Sequence, residues 1–144
     1  MERFVYPVLL KAAKEGAFIV TCRDLPALIT QGEDRADALS QAADAMDEMF
    51  ATYMLEGLTF PTPSKTRRYE YSIAPPAETM AKAALYMAMS EAGITKVQLA
   101  RQLGVDEKEV RRLLDPHYGS KLPRIAQAIQ LLGKRLVIGL EATK

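Results

Sequence analysis

The sequence predicts an α+β fold in which a small sheet with one helix across it is followed by a helical half. Three observations support this prediction. Short apolar runs separated by turn residues predict strands near the start of the chain. A long run with apolar residues at helical spacing follows and ends at Gly57. After Pro75 and Pro76 almost every segment has helical spacing, so we expect a first domain at 1–73, a linker at 74–76 and a second domain at 77–144.

The first domain is predicted in the order β-β-β-α-β. Four runs rich in β-branched and aromatic residues are its predicted strands: Phe4–Leu10, Ala17–Cys22, Leu28–Gln31 and Tyr69–Ile73. The helix between the third and fourth strands begins after Asp34, a favourable N-cap residue, and runs for about six turns. Two prolines in LTFPTPSKTRR predict an irregular connection before the last strand.

The second domain is predicted to be helical except for its last segment. Its four predicted helices are Ala77–Ala92, Lys96–Leu103, Glu107–Leu114 and Lys121–Leu132. A final apolar run at 136–140 is short enough to be a strand. An exposed apolar strand invites aggregation unless it is paired, so we expect it to pair with a second copy across a two-fold axis. The residues expected in this dimer contact are Leu136, Val137, Ile138 and Leu140.

The net charge of +1 conceals an uneven distribution. Residues 1–74 hold 8 Lys/Arg and 11 Asp/Glu, a net charge of −3, whereas residues 75–144 hold 11 and 7, a net charge of +4. Eight carboxylates lie between Asp24 and Glu56, with Arg35 as the single cation. The distribution favours a polyanionic partner for the second half, although ordinary solvated faces would have a similar composition.

Composition also excludes several classes of protein. No run approaches the roughly 18 apolar residues of a membrane span, and the first residues lack a signal-peptide pattern, so we expect a cytoplasmic protein. The single Cys22 and the single His117 cannot form a disulfide framework or a zinc cluster, and we expect no cofactor. Only Glu2, Asp24 and Glu70 are acids expected near strands, so we do not expect metal-dependent catalysis.

The stretch LARQLGVDEKEVRRLL, residues 99–114, has the spacing of a helix-turn-helix. Ala100 is small where two helices must approach each other, and Gly104 suits the positive φ of a tight turn. Val105 can fill the apolar side of that turn, and Asp106 is a favourable N-cap for the next helix. The spacing predicts a DNA-binding pair of helices, and a plain helical hairpin with charge on its solvent side is the alternative.

The outer side of the second helix of this pair carries the chemistry that DNA recognition needs. Arg111 and Arg112 can bind guanine or phosphate, and Glu107 can accept a hydrogen bond from cytosine. The expected DNA contacts are Lys96, Gln98, Glu107, Lys108, Arg111, Arg112, Ser120 and Lys121. Glu107 and Arg111 also have the spacing of an i,i+4 ion pair, which would form without DNA.

The whole chain resembles the HicB family of type II toxin–antitoxin antitoxins. The resemblance lies in VYPVLLKAAKEGAFIVTCRDLPALITQGEDRADAL, in MLEGLTFPTPS and in LLDPHYGSKLPRIAQAIQLLGKRLVI. The last segment resembles the final helix and trailing strand of the lambda-repressor-like (XRE/Cro-type) helix-turn-helix that one subgroup carries. Cys22 and Arg23 stand where the family often has an aromatic residue and a proline, and Asp34 stands where its helix usually opens with Thr.

The resemblance implies a partial ribonuclease-H-like first domain that binds and neutralises a small mRNA-cleaving HicA toxin. It also implies that the second domain represses the shared operon by binding operator DNA. A toxin that binds mRNA needs a cationic surface, for which acidic side chains can compete. The expected toxin contacts are Asp24, Leu25, Pro26, Asp44, Asp47 and Glu48.

Other interpretations of these residues stay open. Asp24, Leu25 and Pro26 would also suit an ordinary turn after a strand, and the helix acids would suit a solvated face. The alternative function is a DNA-binding transcriptional regulator whose first domain senses a small ligand. A nucleic-acid enzyme is a third class, and it would need metal-dependent cleavage by this chain.

Overall fold

The computed structural model describes residues 3–143 and has the predicted α+β class. Its four strands are β1 Tyr6–Ala12, β2 Phe18–Thr21, β3 Ile29–Gly32 and β4 Glu70–Ile73. Its five helices are α1 Arg35–Glu56, α2 Ala77–Ala92, α3 Lys96–Leu103, α4 Glu107–Leu113 and α5 Leu122–Leu131. The predicted order of these elements is confirmed, with ends that differ by a few residues. The ribonuclease-H-like and helix-turn-helix assignments stay predictions.

The sheet is antiparallel, with the strand order β3-β2-β1-β4. A 3-10 turn at Lys14–Gly16 joins β1 to β2 and makes them a hairpin. The register places Ile29 beside Thr21, Thr21 beside Leu9 and Leu9 beside Glu70. These four residues therefore form one row across the sheet, on a single face.

Helix α1 covers the opposite face of the sheet. The Asp34 side chain caps its first turn by accepting a hydrogen bond from the Asp37 N–H, and Gly57 ends it with a left-handed φ of 72°. Its buried residues recur every four positions: Ala38, Ala42, Met46, Phe50 and Met54. They pack with Tyr6, Val8 and Val20 of the sheet in the first hydrophobic core. The spacing that predicted the helix is thus the spacing of the residues it buries.

Helix α2 contributes to both cores of the molecule. Ala83 belongs to the first core, whereas Leu85 and Met89 belong to the second. The Tyr86 hydroxyl donates to the carbonyl of Leu58, 2.8 Å away, and so ties α2 to the segment after α1. The division into two domains stays a prediction, because the helix after the predicted linker packs against both halves.

The second core lies among α2, α3, α4 and α5. Its buried members on the last three helices are Leu99, Ala100, Val110, Leu113, Ile125, Ala128 and Ile129. Val110, Ile125 and Leu99 have no exposed surface. Three short helices therefore share one interior, which fixes their relative positions.

The predicted strand at 136–140 is wrong for the single chain, in which these residues form no helix or strand. A strand needs a neighbour to accept and donate its ladder hydrogen bonds, and this chain places none beside the segment. Leu136 packs against the second core, but Val137, Ile138 and Leu140 are 59%, 75% and 104% exposed. Within residues 3–143 no helix has the length and apolarity needed to cross a membrane.

Candidate functional site

The segment from α3 to α4 has the local geometry that its spacing predicts. Thr95 and Gln98 form a reciprocal capping box at the start of α3. Gly104 ends α3 with a φ of 71°, and Ala100 is buried at 4% exposure. The Asp106 carboxylate then caps α4 by accepting from the Glu109 N–H at 3.0 Å. Two short helices are thus joined by a three-residue turn.

Three of the predicted DNA contacts lie on the exposed side of α4. Glu107, Lys108 and Arg111 are all exposed. The ion pairs among the described residues do not include Glu107 with Arg111, so the Arg111 guanidinium is not held by that carboxylate. In α3, Lys96 is half-buried in the first turn, and Gln98 is exposed with its amide oxygen occupied by the Thr95 N–H.

Arg112 is held more firmly than its neighbour in sequence. Its guanidinium donates to Glu109 at 2.9 Å and lies 5.0 Å from the centre of the Tyr118 ring. Its side chain is 35% exposed, so it can still contact a ligand, but in a fixed orientation. Arg112, Lys121 and Arg124 line a cavity of about 250 Å³ between α4, the loop 114–121 and α5. Glu109 also lines this cavity, which is on balance a cationic concave surface in the second half.

Ser120, another predicted DNA contact, is tied to α2. Its N–H donates to the Glu78 carboxylate at 2.8 Å, and its hydroxyl accepts from the Lys82 ammonium at 2.9 Å. Lys121 is exposed and precedes the first turn of α5. Lys121 is therefore open to a ligand, whereas Ser120 holds the loop 114–121 against α2.

Lys82 is a functional candidate that the sequence analysis missed. It lies in an apolar stretch of α2, has no exposed surface, and its ammonium sits among oxygen atoms. It donates to the carbonyls of Arg112 at 2.8 Å, Asp115 at 2.7 Å and Tyr118 at 2.6 Å, and to the Ser120 hydroxyl. Burial lowers the pKa of Lys82. A lysine inside an apolar helical run was the available signal.

The predicted toxin contacts differ in how far their side chains are exposed. Leu25 is wrong as a surface contact, because it lies in the first core with 1% exposure. Asp24 is half-buried, and its carboxylate accepts from the Ser64 N–H at 2.7 Å and the Ser64 hydroxyl at 2.6 Å. Pro26 is exposed. The Asp24–Pro26 segment is therefore in large part a structural turn.

The three acids of α1 among the predicted toxin contacts also differ in their exposure and their hydrogen-bond partners. Asp44 is exposed, whereas Asp47 accepts a hydrogen bond from the Thr79 hydroxyl of α2. Glu48 lies 3.0 Å from the imidazole of His117, in the loop after α4. This hydrogen bond raises the pKa of His117. Asp47 and Glu48 thus link the two halves, while Asp44 and Glu48 both face solvent.

An ion pair fixes the loop after β2, at the position where the resembled family often has proline. Arg23 donates to both oxygens of Glu70, at 2.9 and 3.0 Å, and to the Lys65 carbonyl at 2.7 Å. Glu70 is only 7% exposed, and the guanidinium lowers the pKa of its carboxyl. Hydrogen bonds therefore provide the stiffness that the proline would have given.

The sheet face opposite α1 is not covered by another element of the described chain. Three large apolar residues on it are exposed: Leu9 at 43%, Ile19 at 38% and Ile29 at 68%. Sequence alternation indicated such a face only weakly, since β1 is apolar on both sides. Apolar residues grouped on an open sheet face are typical of protein-binding surfaces.

The acids considered for metal chemistry are dispersed in the described part of the chain. Asp24 is bonded to Ser64 and Glu70 to Arg23, while Glu2 lies outside the described residues. Among residues 3–143 no group of three or more His, Cys, Asp or Glu side chains is placed to hold a metal ion. Cys22 is 3% exposed, and burial raises the pKa of its thiol, as expected for a small apolar core residue.

Comparison with known proteins assigns the chain to a family. Residues 5–84 match the model of the HicB-like antitoxin of bacterial toxin–antitoxin systems. The chain is 34% identical to Antitoxin HicB of Escherichia coli (strain K12) over 131 residues, which cover 91% of this chain and 95% of that protein. It is 32% identical to Antitoxin HicB of Pseudomonas fluorescens (strain Pf0-1) over 128 residues, 88% of each chain. The chain therefore belongs to the HicB-like antitoxin family of bacterial toxin–antitoxin systems.

Proposed function

We propose that this antitoxin binds and neutralises a HicA-type mRNA-cleaving toxin through its first half and represses its own operon through its second half. The observation that carries the proposal is the match to named antitoxins over 91% of the chain, helices α3 to α5 included. The protein acts in the cytoplasm as a homodimer, with operator DNA and the toxin as its two macromolecular partners.

The geometry of the second half supports DNA binding. Arg111 and Lys108 are exposed on α4, and Arg112 and Lys121 line the neighbouring cavity. Two short helices joined by a glycine turn are expected in a helix-turn-helix, whose second helix would enter the major groove. Lys96 and Lys121 are proposed phosphate contacts, and Lys108, Arg111 and Arg112 are proposed base contacts.

The test of this part is binding of the purified protein to the DNA upstream of its own gene. Arg111→Ala should cost about 1 to 3 kcal/mol at the operator and much less on unrelated DNA, as expected for a base contact. Arg112→Ala should cost a similar amount. Arg68→Ala, which removes the same charge from the exposed surface of the first half, is the control. A wild-type protein that does not distinguish its upstream DNA from other sequences would contradict operator binding.

The first half supports toxin binding through its net negative charge and its open surfaces. Asp44 is exposed on α1, and Leu9 and Ile29 are exposed on the opposite face of the sheet. A cationic, mRNA-binding toxin fits an acidic surface through complementary charge. Asp44 is therefore the proposed electrostatic contact, and the exposed Pro26 is a further proposed contact in the same half.

Co-expression with the small reading frame beside the gene tests this part. The wild-type antitoxin should restore growth and copurify with the toxin, and Asp44→Lys should weaken the complex. Glu15→Lys, at an exposed acid in the β1–β2 turn, is the matched control. Growth arrest that the wild-type antitoxin does not relieve would contradict the proposal.

The alternative of a ligand-sensing regulator gains no support from the small cavity in the first half. The cavity beside Phe4, Tyr6 and Phe60 has a volume of about 20 Å³. That space accommodates about one water molecule, which is too little for a metabolite.

A further inference from the structure

We propose that Lys82 is the positioning residue that shapes the DNA-contacting surface, by holding the end of α4 and the loop 114–121 in place. The inference rests on the proposed function, since it concerns how the same DNA-binding surface is built.

Burial of the Lys82 side chain has a cost in free energy. Lys82 has no exposed surface and sits in a helix whose other buried residues are almost all apolar. A buried ammonium loses its hydration, so a methionine of similar shape would be less costly if the position only filled space. The lysine is justified by the four oxygen atoms that its ammonium group contacts.

The N–H groups of Lys82 bind the end of α4 and the loop that follows it. Helix α4 has seven residues and ends at Leu114 in a right-handed conformation, without the glycine cap seen at Gly57, Gly93 and Gly104. The Lys82 ammonium caps the end of α4 instead, because it donates a hydrogen bond to the Arg112 carbonyl. A cation at a helix C-terminus is also favoured by the helix dipole.

Side chains of α2 also hold the loop 114–121 beyond the end of α4. The same ammonium holds the carbonyls of Asp115 and Tyr118, which are three residues apart in the loop. One turn earlier on α2, the Glu78 carboxylate holds the Ser120 N–H at 2.8 Å. Two side chains of α2 thus fix the loop from its beginning to its end.

The loop in turn positions two of the proposed DNA contacts, Arg112 and Lys121. Tyr118, whose carbonyl Lys82 holds, carries the ring on which the Arg112 guanidinium lies, at 5.0 Å. Lys121 directly follows Ser120 and lines the same cavity. The positions of Arg112 and Lys121 therefore depend on the loop that Lys82 holds, although Lys82 itself is buried away from solvent.

The test compares Lys82→Met with Lys134→Met in operator binding over a range of salt concentrations. Both variants remove one positive charge from the second half, but Lys134 is exposed and pairs with Glu91. Lys82→Met should lower operator affinity by about tenfold and reduce the salt slope by about one phosphate contact, while toxin binding is unchanged. Lys134→Met should leave the slope as in the wild type. A purely structural role would lower the melting temperature without changing the salt slope of the folded protein.

Glu78→Ala tests the same inference if Lys82→Met does not fold. Removal of a carboxylate near DNA would by itself tighten binding, because it removes repulsion from phosphate. Release of the Ser120 N–H would instead disorder the loop, so we expect weaker binding. Wild-type affinity and slope in Lys82→Met, or tighter binding in Glu78→Ala, would overturn the role of Lys82 and leave DNA binding standing. A wild-type protein without operator binding would overturn both.

Discussion

At the residue scale, the loop after β2 shows how one ion pair takes the place of a rigid backbone. Arg23 lies in the loop and Glu70 begins β4, so the pair joins two segments 47 residues apart. Glu70 also accepts from the Arg67 N–H at 2.8 Å. Nothing in the local sequence around Arg23 predicts this partner, because the pairing depends on β1 lying between β2 and β4.

The ion pair between Arg23 and Glu70 makes the free energy of unfolding depend on pH. The pKa of Glu70 is lowered in the folded state by Arg23, so its stabilising contribution is present above the unfolded pKa and lost as pH falls through the folded pKa. Glu70→Gln should reduce the free energy of unfolding by about 1 to 2 kcal/mol near neutral pH, and the difference from the wild type should shrink below about pH 4. Urea titrations across this pH range measure it. Exposed Glu56→Gln is the control, and an equal loss at every pH would contradict the argument.

At the scale of elements, the sequence predicted the helices and strands well because each carries its own local signals. Asp34, Thr95 and Asp106 are N-caps in the structure, and Gly57 and Gly104 end helices with a positive φ. The segment at 136–140 has no such local signal, and the strand predicted there is absent from the single chain because a strand requires a partner strand. The Lys82 contacts were not predictable either, because the oxygen atoms it binds are 30 or more residues away.

The close approach of β3 to α1 leads to a prediction about Gly32. A Cβ at Gly32 would lie 2.2 Å from the backbone nitrogen of Ala38, in the first turn of α1. Gly32→Ala must therefore separate the strand from the helix and should destabilise the protein by roughly 3 kcal/mol. Gly119→Ala has open space around its Cβ and should leave the free energy of unfolding almost unchanged. Equal stability of the two variants in thermal or chemical denaturation would contradict this packing.

At the scale of the whole molecule, the two halves are joined by polar contacts as well as by α2. Glu48 of α1 meets His117 of the loop after α4, and these residues are 69 positions apart. The Asp47 carboxylate accepts from Thr79 nearby. The acidic face that was predicted to bind a toxin therefore also contacts the loop after α4.

The contact between His117 and Glu48 should respond to pH in a defined direction. The pKa of His117 is raised chiefly by the hydrogen bond that its ring donates to the Glu48 carboxylate, so the contact is fully formed below the unfolded pKa of His117 and is lost as pH rises through the folded pKa. His117 is the single histidine of the chain, so its NMR titration is unambiguous. Glu48→Gln should lower that pKa, whereas Asp44→Asn, one turn earlier on α1, should change it little. Identical titration of wild type and Glu48→Gln would show that the halves do not meet there.

We propose that the segment at 136–140 pairs two copies of the chain into a dimer. Val137 and Ile138 are 59% and 75% exposed in the single chain, whereas Leu136 anchors the segment on the second core. Pairing with the same segment of a second copy would supply the missing strand hydrogen bonds and bury these side chains, and it would place two copies of α4 on adjacent half-sites. Val137→Lys should therefore give a monomer with weak operator binding and an unchanged melting curve. Leu55→Lys, a similar change at an 85% exposed residue of α1, should stay dimeric. Sedimentation and operator binding measure both variants, and a Val137→Lys dimer of wild-type affinity would show that the exposed segment serves another contact.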